Sequence, residues 1–345
     1  MHRIPFIVVD VFSATAFKGN PLAVVDTRDA QLTDTQMKLL TRQFNLSETT
    51  FFFPPESSGA DFKLRSFLPD GREVFGAGHN ILGVWWYLAH AQILDLSAPH
   101  RIDDETRGEE FTFHQELGGE VTPVKITRHK AIQVGHHRVM VSMRQAKPHA
   151  HAIHPDPAAL ALSIGLSAAD IGFTPESELG VLAASLQPQV MSTSTTRHLL
   201  VPLSSIEALN LADVRRHKLL EQLKAVDDKA YGLFSFAPVP AAGNGNKTFQ
   251  ARFFSPSMSS EDPATGSAAG SLSAYLYEHG VLKLDSRNSG RITVYQGLRV
   301  GRECNIVVEL TLRGNGDGTM EVDIIGTGVQ VTNGRIVVPD DSTVF

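Results

Sequence analysis

Cysteine is nearly absent, because Cys304 is the only one among 345 residues. A single thiol excludes a disulfide within the chain and any catalytic scheme that needs two cysteines. The absence of disulfides is typical of a reducing compartment. The sequence also enters a β-rich segment soon after Met1, without the charged and apolar regions of a secretory signal. We therefore expect a cytoplasmic protein.

Further absences narrow the range of partners. The net charge of −6 gives no basic excess for nucleic acid, and no apolar run approaches the length that spans a bilayer. The 14 histidines include His149, His151, His154 and the pair His136-His137, but none of them has an H-E-x-x-H spacing or an accompanying cysteine. We expect a small-molecule partner, with no metal, no nucleic acid and no membrane.

Two common catalytic or cofactor motifs are also missing. Gly76-Ala-Gly78 and Gly243-Asn-Gly245 do not have the spacing of a dinucleotide-binding loop. Gly266-Ser267-Ala-Ala-Gly270 does not have the G-x-S-x-G spacing of a nucleophile elbow, which argues against a serine hydrolase. The sequence therefore predicts no nucleotide cofactor.

The most informative segment that is present runs from Glu261 to Gly270, with the sequence EDPATGSAAG. Asp262 precedes a proline, which disfavours helical backbone and predicts a turn. The small and apolar residues from Ser267 to Tyr277 predict a helix with closely packed neighbours. Its first N–H groups lack partners within the helix, and the helix dipole makes that end attractive to an anion.

A second copy of this arrangement lies earlier in the chain. The motif Phe-x-x-Arg-x-Phe occurs at 62–67 and at 249–254, and helices are predicted to begin 11 and 12 residues later, at Gly78 and Gly266. We interpret this as an internal duplication in which each half holds one central helix, with its N-terminal glycine directed at a shared cleft. Two unrelated strand–turn–helix units are the alternative.

Strands are predicted to outnumber helices, which favours an α+β fold over a doubly wound sheet. Outside the central helices, apolar spacing predicts single helices over 34–45 and 205–225. The length of the chain suits two domains. We place an N-terminal lobe at 1–127 and a C-terminal lobe at 128–329, with 330–345 returning to the first lobe.

Glu48 is the predicted acid/base. It lies between a predicted helix and a predicted strand, beside Phe51, Phe52 and Phe53, whose rings would remove water from its carboxylate. The alternative is a structural role, in which Glu48 caps a turn or pairs with an arginine. The sequence leaves both interpretations open.

Other polar residues surround the two predicted helix starts. His79 can donate to an anion or transfer a proton there, or it can simply cap the helix. Asp262 can take part in catalysis or accept bonds from its own turn. We count both, with Glu48, as candidate catalytic residues. Backbone N–H groups and a hydroxyl at the helix starts can hold a substrate carboxylate. The candidate binding residues are Gly78, Asn80, Gly266 and Ser267.

Several short segments form a further pattern: Asp10–Phe12, Gly19–Val24, Asn45–Phe51, Glu73 with His79, Glu261–Ala268, Gln296-Gly297 and Gly301-Arg302. In this order they resemble the PhzF family of phenazine-biosynthesis-like isomerases and epimerases. The resemblance implies a diaminopimelate-epimerase-like fold of two pseudo-symmetric lobes, each a β-barrel-like sheet around a central helix. It also implies no cofactor and, by analogy alone, a homodimer.

The best-known reaction of that family moves a proton along trans-2,3-dihydro-3-hydroxyanthranilate, a cyclohexadiene carboxylic acid. The resemblance implies that Glu48 transfers the proton and that His79, Asp262 and Ser267 surround the substrate. Related racemases have two facing cysteines where this chain has His79 and Ser267. The implied function is a cofactor-independent isomerase of a small carboxylic acid. A non-enzymatic binding module on the same scaffold, which would not need Glu48, is the alternative.

The chain departs from the family pattern in two places. Gly78-His79-Asn80 stands where the family has Gly-His-Pro, and Gly301-Arg302-Glu303-Cys304 stands where it has Gly-Arg-Pro-Ser. Neither change removes a catalytic group, but both change the expected pocket shape and therefore the substrate. Additional sequence is expected at 95–120 and 145–190, the second with a short helix near 167–171.

Overall fold

The computed structural model describes residues 2–75, 78–103, 108–129, 138–173, 185–193, 196–240, 247–258, 260–314, 318–340 and 342. Gly76, the pair His136-His137 and the predicted loop at 243–246 lie outside the described residues. The chain forms two compact units, Met1–Arg144 with Ile325–Phe345, and Gln145–Ile324. Both combine many strands with few helices, which confirms the predicted α+β class.

The first unit contains most of the N-terminal elements. Its strands are β1 (Arg3–Val11), β2 (Asn20–Asp26), β3 (Glu48–Phe53), β4 (Phe62–Phe67), β5 (Glu73–Val74), β6 (Arg101–Ile102), β7 (Glu109–Leu117), β8 (Glu120–His129) and β9 (Arg138–Arg144). Its helices are α1 (Asp34–Phe44) and α2 (Gly78–His90). Helix α1 confirms the helix predicted over 34–45, and Thr33 and Gln36 form a capping box that stabilises its start.

The second unit repeats this mixture of elements. Its strands are β10 (His149–Ile153), β11 (Gln189–Ser192), β12 (Arg197–Pro202), β13 (Ala230–Pro238), β14 (Lys247–Phe254), β15 (Ser289–Gln296), β16 (Cys304–Arg313) and β17 (Thr319–Gly326). Its helices are α3 (Pro157–Ser163), α4 (Ile206–Leu211), α5 (Arg216–Val226) and α6 (Gly266–Glu278). Strand β18 (Gly328–Val337) then pairs with β1, and Ile325–Phe345 belongs to the first unit.

The sheets of the two units follow one plan. The order is β18–β1–β2–β3–β4–β7–β8–β9 in the first unit and β10–β11–β12–β13–β14–β15–β16 in the second. In both, the third and fourth strands run parallel, as do the fifth and sixth, and all other neighbours are antiparallel. This correspondence confirms the internal duplication, and it puts the two Phe-x-x-Arg-x-Phe motifs on the matching strands β4 and β14.

Each unit also has one central helix. In α2 every residue except Tyr87 and His90 is buried, and the helix packs against β1, β2, β3, β8, β9 and β18. In α6 only Ser267 and the last two residues are not buried, and the helix packs against β11, β12, β15 and β16. Small residues permit this close packing, because a Cβ atom on Gly83 would lie 2.6 Å from the Leu22 side chain.

Two expectations, one about a helix and one about the boundary between the units, need correction. The helix predicted over 205–225 is two helices, α4 and α5. The guanidinium of Arg252 donates to the carbonyl oxygens of Leu209 and Ala212, which satisfies the end of α4 and allows the chain to turn. The stretches at 95–120 and 145–190 contribute β7, β10 and α3 to the units. The compact units change between Arg144 and Gln145, later than the predicted 127/128, because β9 still pairs with β8.

Candidate active site

Strand β3 begins at Glu48, and the first turn of α2 contains His79. Because α2 packs against β3, the two side chains meet in the first unit. Oε2 of Glu48 lies 3.0 Å from Nδ1 of His79, with 14% and 4% of the side chains exposed. The pair is in contact, but Oε2 accepts no well-aligned hydrogen bond within the described residues. A buried carboxylate oxygen in this condition costs free energy, so it requires an explanation such as a catalytic role.

This contact bears on the alternatives for Glu48. In the part of the chain that the structure describes, its ion-pair partner is a histidine and no arginine pairs with it. A carboxylate and an imidazole at this distance can hold or exchange one proton, which an arginine could not do because it stays protonated. The geometry is therefore suited to acid/base chemistry.

Asn80 follows His79 in the same turn of α2 and is fully buried. Neither Oδ1 nor Nδ2 of its amide has a hydrogen-bond partner among the described residues. Leaving a buried donor or acceptor unused costs about 1–3 kcal/mol, so this amide is a destabilising choice at a fully buried position. Its polarity calls for an explanation other than packing.

Asp262 lies in the second unit, in the loop that leads into α6, and is 8% exposed. Its Oδ2 accepts a hydrogen bond of 2.6 Å from the hydroxyl of Thr265. Gln296, at the end of β15, fastens the same loop: its amide donates to the Asp262 carbonyl oxygen at 2.8 Å and accepts from the Thr265 backbone N–H at 3.1 Å. Asp262 thus has the turn-stabilising bond of the structural alternative, in a loop that Gln296 holds in place.

Ser267 stands in the first turn of α6, which begins at Gly266 as predicted. Its Oγ lies 2.9 Å from Nε2 of His198 on β12. His198 is 1% exposed, and burial lowers the pKa of its imidazole to about 3, so the ring is neutral at neutral pH. Ser267 itself is partly exposed. The candidate residues therefore fall into two groups, one in each unit.

Sequence reasoning missed the role of His198 and saw Gln296 only as part of a family pattern. His198 and Ser267 are 69 residues apart, and no local motif marks the histidine within its strand. The only available signal was the duplication, which gives β12 the place in its sheet that β2 has in the first unit, two strands before the strand that leads to the central helix. Gly78 and Gly266 begin their helices where they were predicted to do so.

An arginine–glutamate pair precedes each central helix. Arg65 on β4 donates through Nε and Nη2 to the two carboxylate oxygens of Glu73, at 2.8 and 2.7 Å. Arg252 on β14 donates through the same two nitrogens to Glu261, at 3.1 and 3.0 Å. Each glutamate lies in the connection to a helix start, so both pairs tie that connection to the sheet. The duplication therefore extends to the side chains that position the candidate residues.

The described residues lack two features that would change the interpretation of the site. They contain no group of three His, Cys, Asp or Glu side chains arranged to hold a metal ion. None of the helices among them is both long enough and apolar enough to cross a membrane.

Known proteins resemble this chain along nearly all of its length. Residues 9–334 match the family model of phenazine biosynthesis-like proteins. The chain is 30% identical over 340 residues to a trans-2,3-dihydro-3-hydroxyanthranilate isomerase of Pseudomonas chlororaphis, covering 98% of this chain and 100% of that protein.

Solved structures share the fold. A phenazine biosynthesis protein of the PhzF family from Bacillus anthracis has a TM-score of 0.76 at 22% identity, covering 98% of this chain and 100% of that one. A predicted epimerase from Pseudomonas aeruginosa has a TM-score of 0.68 at 25% identity, covering 97% and 100%. The predicted fold of two similar lobes is confirmed by this likeness and by the matched sheets.

Proposed function

Because this chain belongs to the PhzF family of phenazine biosynthesis-like proteins, we propose that Glu48 is the acid/base with which it moves a proton on a small cyclic carboxylic acid. That the protein is an isomerase follows from the match along nearly its whole length to isomerases of small molecules. The contact between the Glu48 carboxylate and His79 is the observation that supports the residue assignment. The alternative of a non-enzymatic binding module is not retained.

The reaction needs no change in oxidation state. Glu48 takes a proton from a carbon next to an unsaturated or carboxyl-bearing centre: the C–H bond breaks, an O–H bond forms, and the electron pair spreads into the conjugated system. The proton then returns to another carbon of the same molecule, and the double bonds shift. Delocalisation within the substrate makes a cofactor unnecessary in this scheme. His79 holds the Glu48 carboxylate and stabilises its charge when the proton has left.

The remaining candidates are assigned to binding and charge stabilisation. Helix starts favour anions, so we assign Gly78, Gly266 and Ser267 to the substrate carboxylate. Asp262 would hold a polar substituent from the loop that Gln296 fastens. These assignments rest on the sequence argument together with the position of each residue within its own unit.

Glutamine at position 48 tests the proposal, since Glu48→Gln keeps the shape of the side chain and removes the base. Glu109→Gln is a matched control, because Glu109 also lies in the first unit, also forms an ion pair and has 13% of its side chain exposed. We expect Glu48→Gln to lower kcat by roughly 10²- to 10⁴-fold and Glu109→Gln to leave kcat nearly unchanged.

The first compound to assay is trans-2,3-dihydro-3-hydroxyanthranilate, the substrate named for the relative, followed by other cyclic and amino-substituted carboxylic acids. Full turnover by Glu48→Gln would remove Glu48 from the role of base and move it to Asp262 or His79. If the wild type turned over only acyclic acids, the assignment of a cyclic substrate would be wrong.

A further inference from the structure

We propose that the buried ring of His198 fixes the hydroxyl of Ser267 as a hydrogen-bond donor for a bound carboxylate. The part that concerns the ligand rests on the proposed function, whereas the part that concerns the two side chains does not. His198 acts through Ser267, so it is a positioning residue. Nothing in the sequence pattern of the family pointed to it.

The surroundings of His198 leave its ring little freedom. It packs edge-on against the rings of Phe253, at 5.4 Å between centroids, and Tyr231, at 6.4 Å. Nε2 reaches Ser267 Oγ at 2.9 Å. Nδ1 is buried without a hydrogen-bond partner among the described residues. The hydroxyl of Ser267 is thus the polar partner that the structure records for this ring.

The ring carries one proton at neutral pH. Complete burial lowers the pKa of His198 to about 3, and desolvation is the cause. A neutral imidazole has one N–H donor and one bare nitrogen acceptor. The position of the single proton therefore decides which way the hydrogen bond to Ser267 runs.

Burial selects the tautomer. With the proton on Nδ1, a buried N–H would have no acceptor. Buried N–H groups without a partner are rarer in proteins than buried acceptors with an unused lone pair. With the proton on Nε2, the donor is satisfied by Ser267 Oγ at 2.9 Å and only a lone pair on Nδ1 is left unused. The geometry therefore favours an Nε2–H that donates to Ser267.

This direction has a consequence for Ser267. Its oxygen accepts from His198, so its own O–H must point elsewhere. Ser267 is partly exposed at a helix start whose other first-turn residues are buried, and a carboxylate is the strongest acceptor that such a position attracts. The same tautomer prevents His198 from taking the serine proton, because the free lone pair lies on Nδ1. Ser267 is a donor for binding and is not a nucleophile.

Nitrogen NMR of the labelled full-length protein tests the tautomer without any ligand. Long-range ¹H–¹⁵N spectra distinguish the protonated from the bare ring nitrogen, and comparison with His198→Gln assigns the signals. We expect Nε2 protonated and Nδ1 bare, unchanged between pH 5 and pH 8. Protonation on Nδ1, or a ring that becomes doubly protonated within that range, would overturn the inference.

Ligand affinity tests the coupling, with anthranilate as an unreactive aromatic carboxylate. His198→Phe keeps an aromatic ring between Phe253 and Tyr231 but removes the donor, whereas His198→Gln keeps an N–H donor. We expect Ser267→Ala and His198→Phe each to raise Kd about tenfold, the value of one charge-assisted hydrogen bond. The double variant should be no weaker than Ser267→Ala, and His198→Gln should stay near the wild type.

The outcomes separate the two proposals. Additive losses in the double variant, or an unchanged Kd in folded His198→Phe, would overturn the role of His198. A wild-type protein that binds neither anthranilate nor the other cyclic carboxylic acids to be assayed would count against the proposed function, while the NMR spectrum would still decide the direction of the His198–Ser267 bond.

Discussion

The two units share a sheet plan, a central helix and an arginine–glutamate pair, yet their helix starts carry different chemistry. In the first unit two ionisable side chains, Glu48 and His79, are in contact. In the second, Ser267 contacts a histidine that burial keeps neutral. The two units have thus kept the same framework but have different polar side chains at their helix starts. The pair in the first unit is suited to moving a proton, whereas the pair in the second unit stays neutral and offers only hydrogen bonds.

The arginine–glutamate pairs offer the largest contrast in stability. Arg252 and Glu261 have 10% and 6% of their side chains exposed, against 22% and 23% for Arg65 and Glu73. Arg252→Met leaves a buried carboxylate uncompensated and should cost about 3–5 kcal/mol. Arg65→Met should cost about 1 kcal/mol, since water still reaches Glu73. Denaturant unfolding measures both.

A second variant in each pair makes the comparison stricter. Adding Glu261→Gln to Arg252→Met removes the uncompensated charge and should restore part of the lost stability. Equal costs for Arg252→Met and Arg65→Met would show that the burial of the pair in the second unit has no energetic consequence.

The buried histidine of the second unit predicts a dependence of stability on pH. The pKa of His198 falls to about 3 in the folded state, against about 6.5 when unfolded. The unfolded chain therefore binds more protons between these values, and stability falls as the pH is lowered through that window. The advantage of the wild type over His198→Gln in free energy of unfolding should shrink by about 2 kcal/mol from pH 8 to pH 5.

Unfolding curves recorded at each pH for both proteins check this prediction. The difference between them isolates His198 from other groups that titrate in the same range. Parallel stability profiles for the wild type and His198→Gln would mean that the ring gains its proton as easily in the folded state as in the unfolded state.

The smallest effect is expected at Asn80. The matching residue in the second unit is Ala268, which is also fully buried, so Asn80→Ala makes the two helix starts alike. Removing an amide without partners offsets the loss of its packing, and stability should change by no more than about 1 kcal/mol. The KM for the substrate should rise, because we assign Asn80 to substrate binding. A loss of stability above about 3 kcal/mol would instead indicate a structural role.

The fold was accessible from the sequence because the duplication left a local trace. The repeated Phe-x-x-Arg-x-Phe lies on strands with the same neighbours, and the glycines at 78 and 266 begin the central helices. The motif gave no hint of why it repeats. The structure supplies the reason, since its arginine binds the glutamate before each helix.

Other features depended on contacts between distant residues. The break between α4 and α5 follows from Arg252, which lies 40 residues beyond Ala212 and caps its carbonyl oxygen. The partner of Ser267 is a strand histidine with no motif around it. The sequence grouped Glu48 and His79 as candidate catalytic residues, but it did not predict that their side chains touch. Local patterns specify turns and helix starts, whereas side-chain partners across a sheet require the fold.

Proton exchange with solvent is the most direct test of the claim that the first unit carries the acid/base. In D₂O, the wild type should incorporate deuterium into the carboxylic acid that it isomerises, at the carbon that gains the proton, and trans-2,3-dihydro-3-hydroxyanthranilate is the first compound to assay. Ser267→Ala should still do so at saturating substrate, and in Glu48→Gln the exchange should be slowed by roughly the 10²- to 10⁴-fold expected for kcat. Exchange by Glu48→Gln at the wild-type rate would contradict the account.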